Sequence, residues 1–172
     1  MTTSTAQTAS QLIFGLTASD AIWIATARLH DRHKKAEGFT PAQIQDEVEK
    51  NHLTGVKSKT VYQHIVQHVT ATQPANPNRR RMLTEVGKGL RRLYLEGDAF
   101  HPSRSGGQFL PKADDLPSDL RGWVLLWYPE WSAAQPAKHA VNTASNLMDA
   151  LEGTWTFGDA ETYLRELREG WE

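Results

Sequence analysis

Thr60, Gln63, His64 and Gln67 recur at i, i+3, i+4 and i+7 in the stretch KSKTVYQHIVQHV, which runs from Lys57 to Val69. On a helix this spacing puts all four on one face, while Val61, Ile65, Val66 and Val69 fall on the other. Hydroxyl, amide and imidazole groups can donate to and accept from base edges, which is the chemistry of major-groove reading. Lys57 and Lys59 stand at the start of the segment, and Ser58 reads as its N-cap. The positive end of the helix dipole points the same way, so this end suits a phosphate. The stretch reads as a DNA recognition helix; the alternative is a solvated surface helix that happens to lack acids.

Other residues whose types could do chemistry form no complete set. His64 and His68 have the i, i+4 spacing of a zinc pair, but Gln67 precedes His68 where HExxH has its Glu two places earlier in the motif, and no third ligand is indicated. Asp46, Glu47, Glu49 and Lys50 resemble a nuclease carboxylate and lysine set, yet they fall on a well-capped helix whose charges are expected to face solvent. Ser103 and Ser105 beside His101 lack an orienting acid and a nucleophile elbow. GKG and SGG are too short for phosphate loops. No enzyme, catalytic residue, metal site or cofactor is expected.

The elements that must position the Lys57–Val69 face can be read from caps and breakers. Residues 1–16 form a polar, flexible N-terminus in which Leu12, Ile13, Phe14 and Leu16 can pack on the domain or on a second subunit. Thr17 or Ser19 caps a first helix whose inner stripe is Ile22, Ala25 and Leu29. Glu37 and Gly38 interrupt the chain. Then Thr40 caps a second helix, Pro41 takes its first position, Gln43 closes a capping box, and Phe39 is placed to staple onto Ile44. A turn containing Gly55 leads to the third helix, and TQPANPNRRR ends that helix. RMLTEVGKGLRRLYL reads as two short strands joined at Gly87-Lys88-Gly89.

Three helices followed by a basic hairpin is the order of a winged helix, in which the third helix enters the major groove and the wing touches backbone or minor groove. Arg79, Arg80, Arg81, Lys88, Arg91 and Arg92 are the candidates for phosphate contacts, which add affinity without sequence information. The expected class is mainly α (α+β): a winged-helix domain over residues 17–112, an added helix over 113–131 ended by Pro129, a linker over 132–143, and a partner-binding tail over 144–172. The added helix is dense in Trp, which suits packing on the domain or, through the same stripe, a homodimer.

Charge divides the 172 residues unevenly. Between Lys57 and Arg92 stand eight Lys or Arg and one acid, whereas Ser145 to Glu172 holds seven acids and two Arg. A basic middle with an acidic tail points to a nucleic-acid surface joined to a segment of different purpose. The chain has no cysteine, which excludes disulfides, thiolate metal sites and a cysteine nucleophile. MTTSTAQTAS lacks the basic residues of a signal peptide and LIFGL is too short to span a membrane, so a cytoplasmic location is expected.

From Ala21 to about Pro111, and above all in FTPAQIQDEV, SKTVYQHI, RMLTEVGKGLRRLYLEGD and HPSR, the chain resembles an uncharacterised winged-helix family of bacteria and archaea. The resemblance implies a fold and offers no catalytic residues. The final stretch, in LMDALEGTWTF and YLRELREGWE, resembles the toxin-binding tails of VapB-type antitoxins. That resemblance implies a PIN-domain ribonuclease toxin as partner, with Leu147, Leu151, Trp155, Phe157, Tyr163 and Leu164 on its surface and Arg165 or Arg168 at its cluster of metal-binding carboxylates. Trp and Arg dominate binding energy at interfaces, and a guanidinium can pair with carboxylates in place of a metal. Antitoxins of that type usually carry a swapped-hairpin or ribbon DNA-binding domain, so a winged helix before the tail departs from their pattern. The expected function is a regulator that binds double-stranded operator DNA and neutralises a toxin. The alternative is a winged-helix adaptor or protein-interaction module in a DNA-processing or phage-defence system.

Overall fold

The chain divides into two units, Met1–Gln135 and Pro136–Glu172. The computed structural model describes residues 15–87 and 89–135, all within the first unit. That unit is mainly helical with one small two-stranded sheet. Its first helix, α1 (Ala18–Arg32), starts where Thr17 accepts from the Asp20 amide and donates to the Asp20 carboxylate. Ile22, Ala25 and Leu29 are buried as their spacing requires, but so is every residue from Ala18 to Ala27. The reason is position. α1 is the central helix, touched by the helix over Pro41–Lys50, the strand over Arg91–Leu93 and the turn over His64–His68, and covered by the rings of Trp127 and Tyr128.

Helix α2 (Pro41–Lys50) opens on the full capping box of Thr40 and Gln43, with Pro41 in the first turn. Phe39 and Ile44 are both buried in the core. At its other end the Leu53 amide donates to the Val48 carbonyl and the His52 amide to the Glu49 carbonyl, the Schellman pattern. His52 takes the left-handed position of that motif, φ 48°, where glycine is the usual residue. The turn therefore bends at His52, and Gly55, the residue expected to permit it, is exposed with open space around it. Leu53, buried against the helix it has just left, pins the turn.

The third helical segment differs from a single helix over Lys57–Val69. It is an α-helix, α3 (Ser58–Gln63), followed by a π turn, His64–His68, closed by the Val69 amide on the His64 carbonyl. A hairpin follows, β1 (Leu83–Glu85) with β2 (Arg91–Leu93), in register Leu83 to Leu93, Thr84 to Arg92 and Glu85 to Arg91. Gly87 and Gly89 hold φ of 76° and 75° at its tip, the conformation the sequence assigned to them. Phe39 adds a bridge to the far side of β2, its amide and carbonyl both bonded to Arg91 at 2.8 Å. Gly38 next to it lies so close that a Cβ there would meet the Val86 side chain at 2.7 Å and the Arg91 carbonyl at 2.9 Å.

Helix α4 (Ser118–Ala133) runs through Pro129 and does not end there. Proline removes one intrahelical hydrogen bond, and the packing of Trp131 on His30 (rings 4.9 Å apart) holds the following turn in place. Trp123, Trp127 and Trp131 stack successively at 5.3 and 5.4 Å, and the Trp127 indole donates to Asp31. Leu120 and Val124 complete the inner face, while Leu125 and Leu126 point outward, 61% and 76% exposed. None of the described helices is long and apolar enough to cross a membrane.

Candidate nucleic-acid interface

Burial divides the Lys57–Val69 segment cleanly. Val61, Ile65 and Val69 are in the core; Lys57, Ser58, Lys59, Tyr62, Gln63 and Gln67 are exposed; Thr60, His64, Val66 and His68 are intermediate. Gln63 and Gln67 thus stand on the open face as their spacing requires, with Lys59 on the same arc. His64 does not share their position. Its ring lies 4.7 Å from that of His68, and burial, His68 and then Arg80 all push its pKa below the ordinary histidine value. His68 in turn donates from Nδ1 to the Asn76 carbonyl. Among the described residues no group of three or more His, Cys, Asp or Glu is arranged to hold a metal ion. Tyr62, 42% exposed, takes a place on the open face that the pattern of polar residues did not assign to it.

The start of α3 is less open to phosphate than the sequence implies. Lys57, not Ser58, is the N-cap residue, and it makes no side-chain cap. The Ser58 hydroxyl instead donates to the Glu49 carboxylate, which also accepts from Gln45 at 3.0 Å, while Gln45 donates to the Ser58 carbonyl at 3.2 Å. A carboxylate from α2 therefore sits at this end. Glu47, its neighbour, is buried and paired with Arg32, and it accepts from Asn51 at 2.9 Å. These acids hold the scaffold together. His101 likewise serves a turn, accepting from the Ser103 amide.

The six basic candidates of the hairpin region separate by environment. Arg79 is exposed and Arg80 half-buried. The Arg81 guanidinium lies 4.4 Å over the Phe100 ring and 5.2 Å over Tyr94, and it donates twice to the Gly107 carbonyl. Arg91 is buried and donates to the Gly89 carbonyl at 2.7 Å. Arg92 pairs through both terminal nitrogens with Asp98, at 2.7 and 2.8 Å. Lys88 lies outside the described residues. Arg81, Arg91 and Arg92, read from the sequence as phosphate contacts, each engage the protein itself, through aromatic rings, carbonyls and Asp98. Charge counting along the chain could not separate the free from the engaged.

One residue the sequence reading passed over organises the region. Arg104 is 0% exposed, and its five N–H groups all meet backbone carbonyls: Gln73 (2.5 Å), His68 (2.9 Å), Gln67 (2.8 Å), Pro74 (3.0 Å) and Arg80. The last carbonyls of a helix lack intrahelical donors. Arg104 supplies them for Gln67 and His68, and the buried Thr70 hydroxyl supplies one for Ile65 at 2.6 Å. The end of the π turn is thereby tied to the loop after it and to the segment before β1 that carries Arg79 and Arg80. Its sequence signal was only the HPSR turn.

Leu147, Leu151, Trp155, Phe157, Tyr163, Leu164, Arg165 and Arg168 lie outside the described residues. No protein-family model, curated protein or solved structure matches this chain.

Proposed function

We propose that the protein binds double-stranded DNA through a winged helix, with α3 and its π turn in the major groove and the hairpin beside the backbone. The observation that carries this reading is the open face of Lys59, Tyr62, Gln63 and Gln67, held on a buried frame, with Arg80 close enough to His64 to act on its charge and Arg79 exposed next to it in the chain. The element order supports it, with the Phe39 bridge standing where a short strand precedes the second helix and pairs with the hairpin. Amides can read base edges, whereas arginines at the flank add affinity for any duplex. In a duplex titration, Gln63→Ala or Gln67→Ala should cost about 1–3 kcal/mol on the preferred site and leave nonspecific binding unchanged. Arg79→Ala should weaken binding to every sequence and lower the salt slope by about one. Equal losses from the glutamines on all sequences would remove them from the reading face.

The tail extends this reading to an antitoxin that represses its own operon, supported by the LMDALEGTWTF and YLRELREGWE segments and their acidity. Protein ending at Thr143 should keep its DNA affinity and lose the capture of a ribonuclease toxin encoded beside it. Trp155→Ala should cause most of the same loss, since one buried aromatic anchor commonly carries about 2 kcal/mol or more. Rescue of growth by the shortened chain would turn the reading toward the adaptor. That second reading is favoured by one observation, the engagement of Arg81, Arg91 and Arg92 inside the fold, which leaves the surface less basic than the sequence suggests.

A further inference from the structure

The open face of α3 carries a particular selection of chemistry, and it decides which bases the protein can prefer. Two amides, Gln63 and Gln67, are exposed a helical turn apart. A carboxamide offers one donor and one acceptor side by side, the complement of adenine N7 and N6 in the major groove. Guanine presents two acceptors, O6 and N7, and is read by the paired donors of Arg. Most arginines of the region are engaged elsewhere: Arg81 is held under Phe100 and on Gly107, Arg91 on Gly89, Arg92 on Asp98 and Arg104 on its five carbonyls, while Arg80 reaches Thr17 at 3.4 Å and the exposed Arg79 is assigned above to a phosphate. His64, which could donate to guanine, is turned aside against His68. Cytosine, whose N4 donor suits a carboxylate, is not served either, because Glu49 is engaged with Gln45 and Ser58.

Beside the amides stand an exposed aromatic ring, Tyr62, and Val66, which the helical spacing set on the inner face with Val61, Ile65 and Val69 but which is only half-buried where those three are in the core. Apolar contact on this face has one counterpart in the major groove, the C5 methyl of thymine. Adenine and thymine occupy the same base pair, so the amide and apolar parts of the face agree on one target. From this agreement we infer that the protein recognises A·T base pairs through Gln63 and Gln67 on adenine and Tyr62 with Val66 on thymine methyls. The inference rests on the DNA-binding reading above and adds to it the class of duplex and two side chains, Tyr62 and Val66, that read it. Lys59 near the start of the helix serves the adjoining phosphate, as a flexible ammonium suits a point charge better than a paired base edge.

The test uses the full-length chain and a duplex library randomised over about 12 base pairs, the length of a little more than one helical turn. Selected duplexes should be enriched in A·T pairs at the protected positions. Replacing thymine by deoxyuridine at those positions removes only the methyl, and replacing adenine by 7-deazaadenine removes only the N7 acceptor. The first should weaken binding about three- to tenfold and the second about tenfold, the range of one lost groove contact. Tyr62→Ala should bind thymine and deoxyuridine duplexes equally, whereas Gln67→Ala should keep the deoxyuridine penalty and lose the 7-deazaadenine one. Tyr62 is exposed, so its replacement leaves the core intact. Salt-dependent binding with G·C-rich selected sites, or with no response to either analogue, would overturn this inference and leave the DNA-binding reading standing. Absence of salt-dependent binding to any duplex would overturn the DNA-binding reading itself.

Discussion

Arg104→Met is expected to lower the unfolding free energy by about 3–5 kcal/mol, the largest effect of any single change outside the apolar core. The guanidinium is fully buried and serves carbonyls from Gln67, His68, Gln73, Pro74 and Arg80. Methionine fills much the same volume but donates nothing, so those carbonyls lose their partners where water does not readily follow. Each buried acceptor left without a donor costs about 1–3 kcal/mol, and partial hydration on relaxation keeps the total below the sum. Burial also pulls the Arg104 pKa below the ordinary arginine value, and the ring of carbonyl dipoles offsets that cost of desolvation by accepting from every N–H. Arg104→Lys should fall between, since an ammonium has three donors for five acceptors. Urea unfolding would decide the matter through the midpoint. A methionine variant within about 1 kcal/mol of the parent would mean that water or a shifted loop satisfies the carbonyls. Because two of them end the π turn, the same variant should also loosen Gln67 and so blur the proposed preference between duplexes.

The second large effect concerns acid. His30 is buried on α1 between the rings of Phe39 and Trp131, each 4.9 Å away, and its Nε2 has no hydrogen-bond partner among the described residues. Burial, with a smaller contribution from Arg92, lowers its pKa to about 4. In the unfolded chain the same ring titrates near 6.5. Between these values the unfolded state binds a proton that the folded state refuses, so stability rises with pH across the interval. It is fully present above about pH 6.5 and is lost progressively as pH falls toward 4, by about 3 kcal/mol in all. The informative quantity is the difference between the parent and His30→Leu, which isolates this one ring. That difference should change by about 3 kcal/mol between pH 7 and pH 4, the variant being relatively favoured in acid. A flat difference curve would show that His30 accepts its proton without unfolding, by swinging out from between Phe39 and Trp131.

Both effects arise from contacts that neighbours in sequence do not announce. What the chain settles locally is considerable. The Thr40, Pro41 and Gln43 cap, the inner stripe of Ile22, Ala25 and Leu29, and the glycines at the hairpin tip were legible because each depends on residues within a turn or two of one another. The exposure of Gln63 and Gln67 followed from the same periodicity. The tertiary structure decided the rest. It broke the third helix into an α and a π part, where Thr70 and Arg104 take up its final carbonyls. It carried α4 through Pro129, because Trp131 has His30 to pack on. It moved Glu49 to the start of α3 and drew Arg81, Arg91 and Arg92 out of a basic surface that the sequence made look larger. A periodicity reports which way a side chain points, since that depends on the nearest few dihedral angles. Whether a charge is free or engaged depends on what the fold brings beside it, and for Arg104 that partner lies as many as 37 residues away.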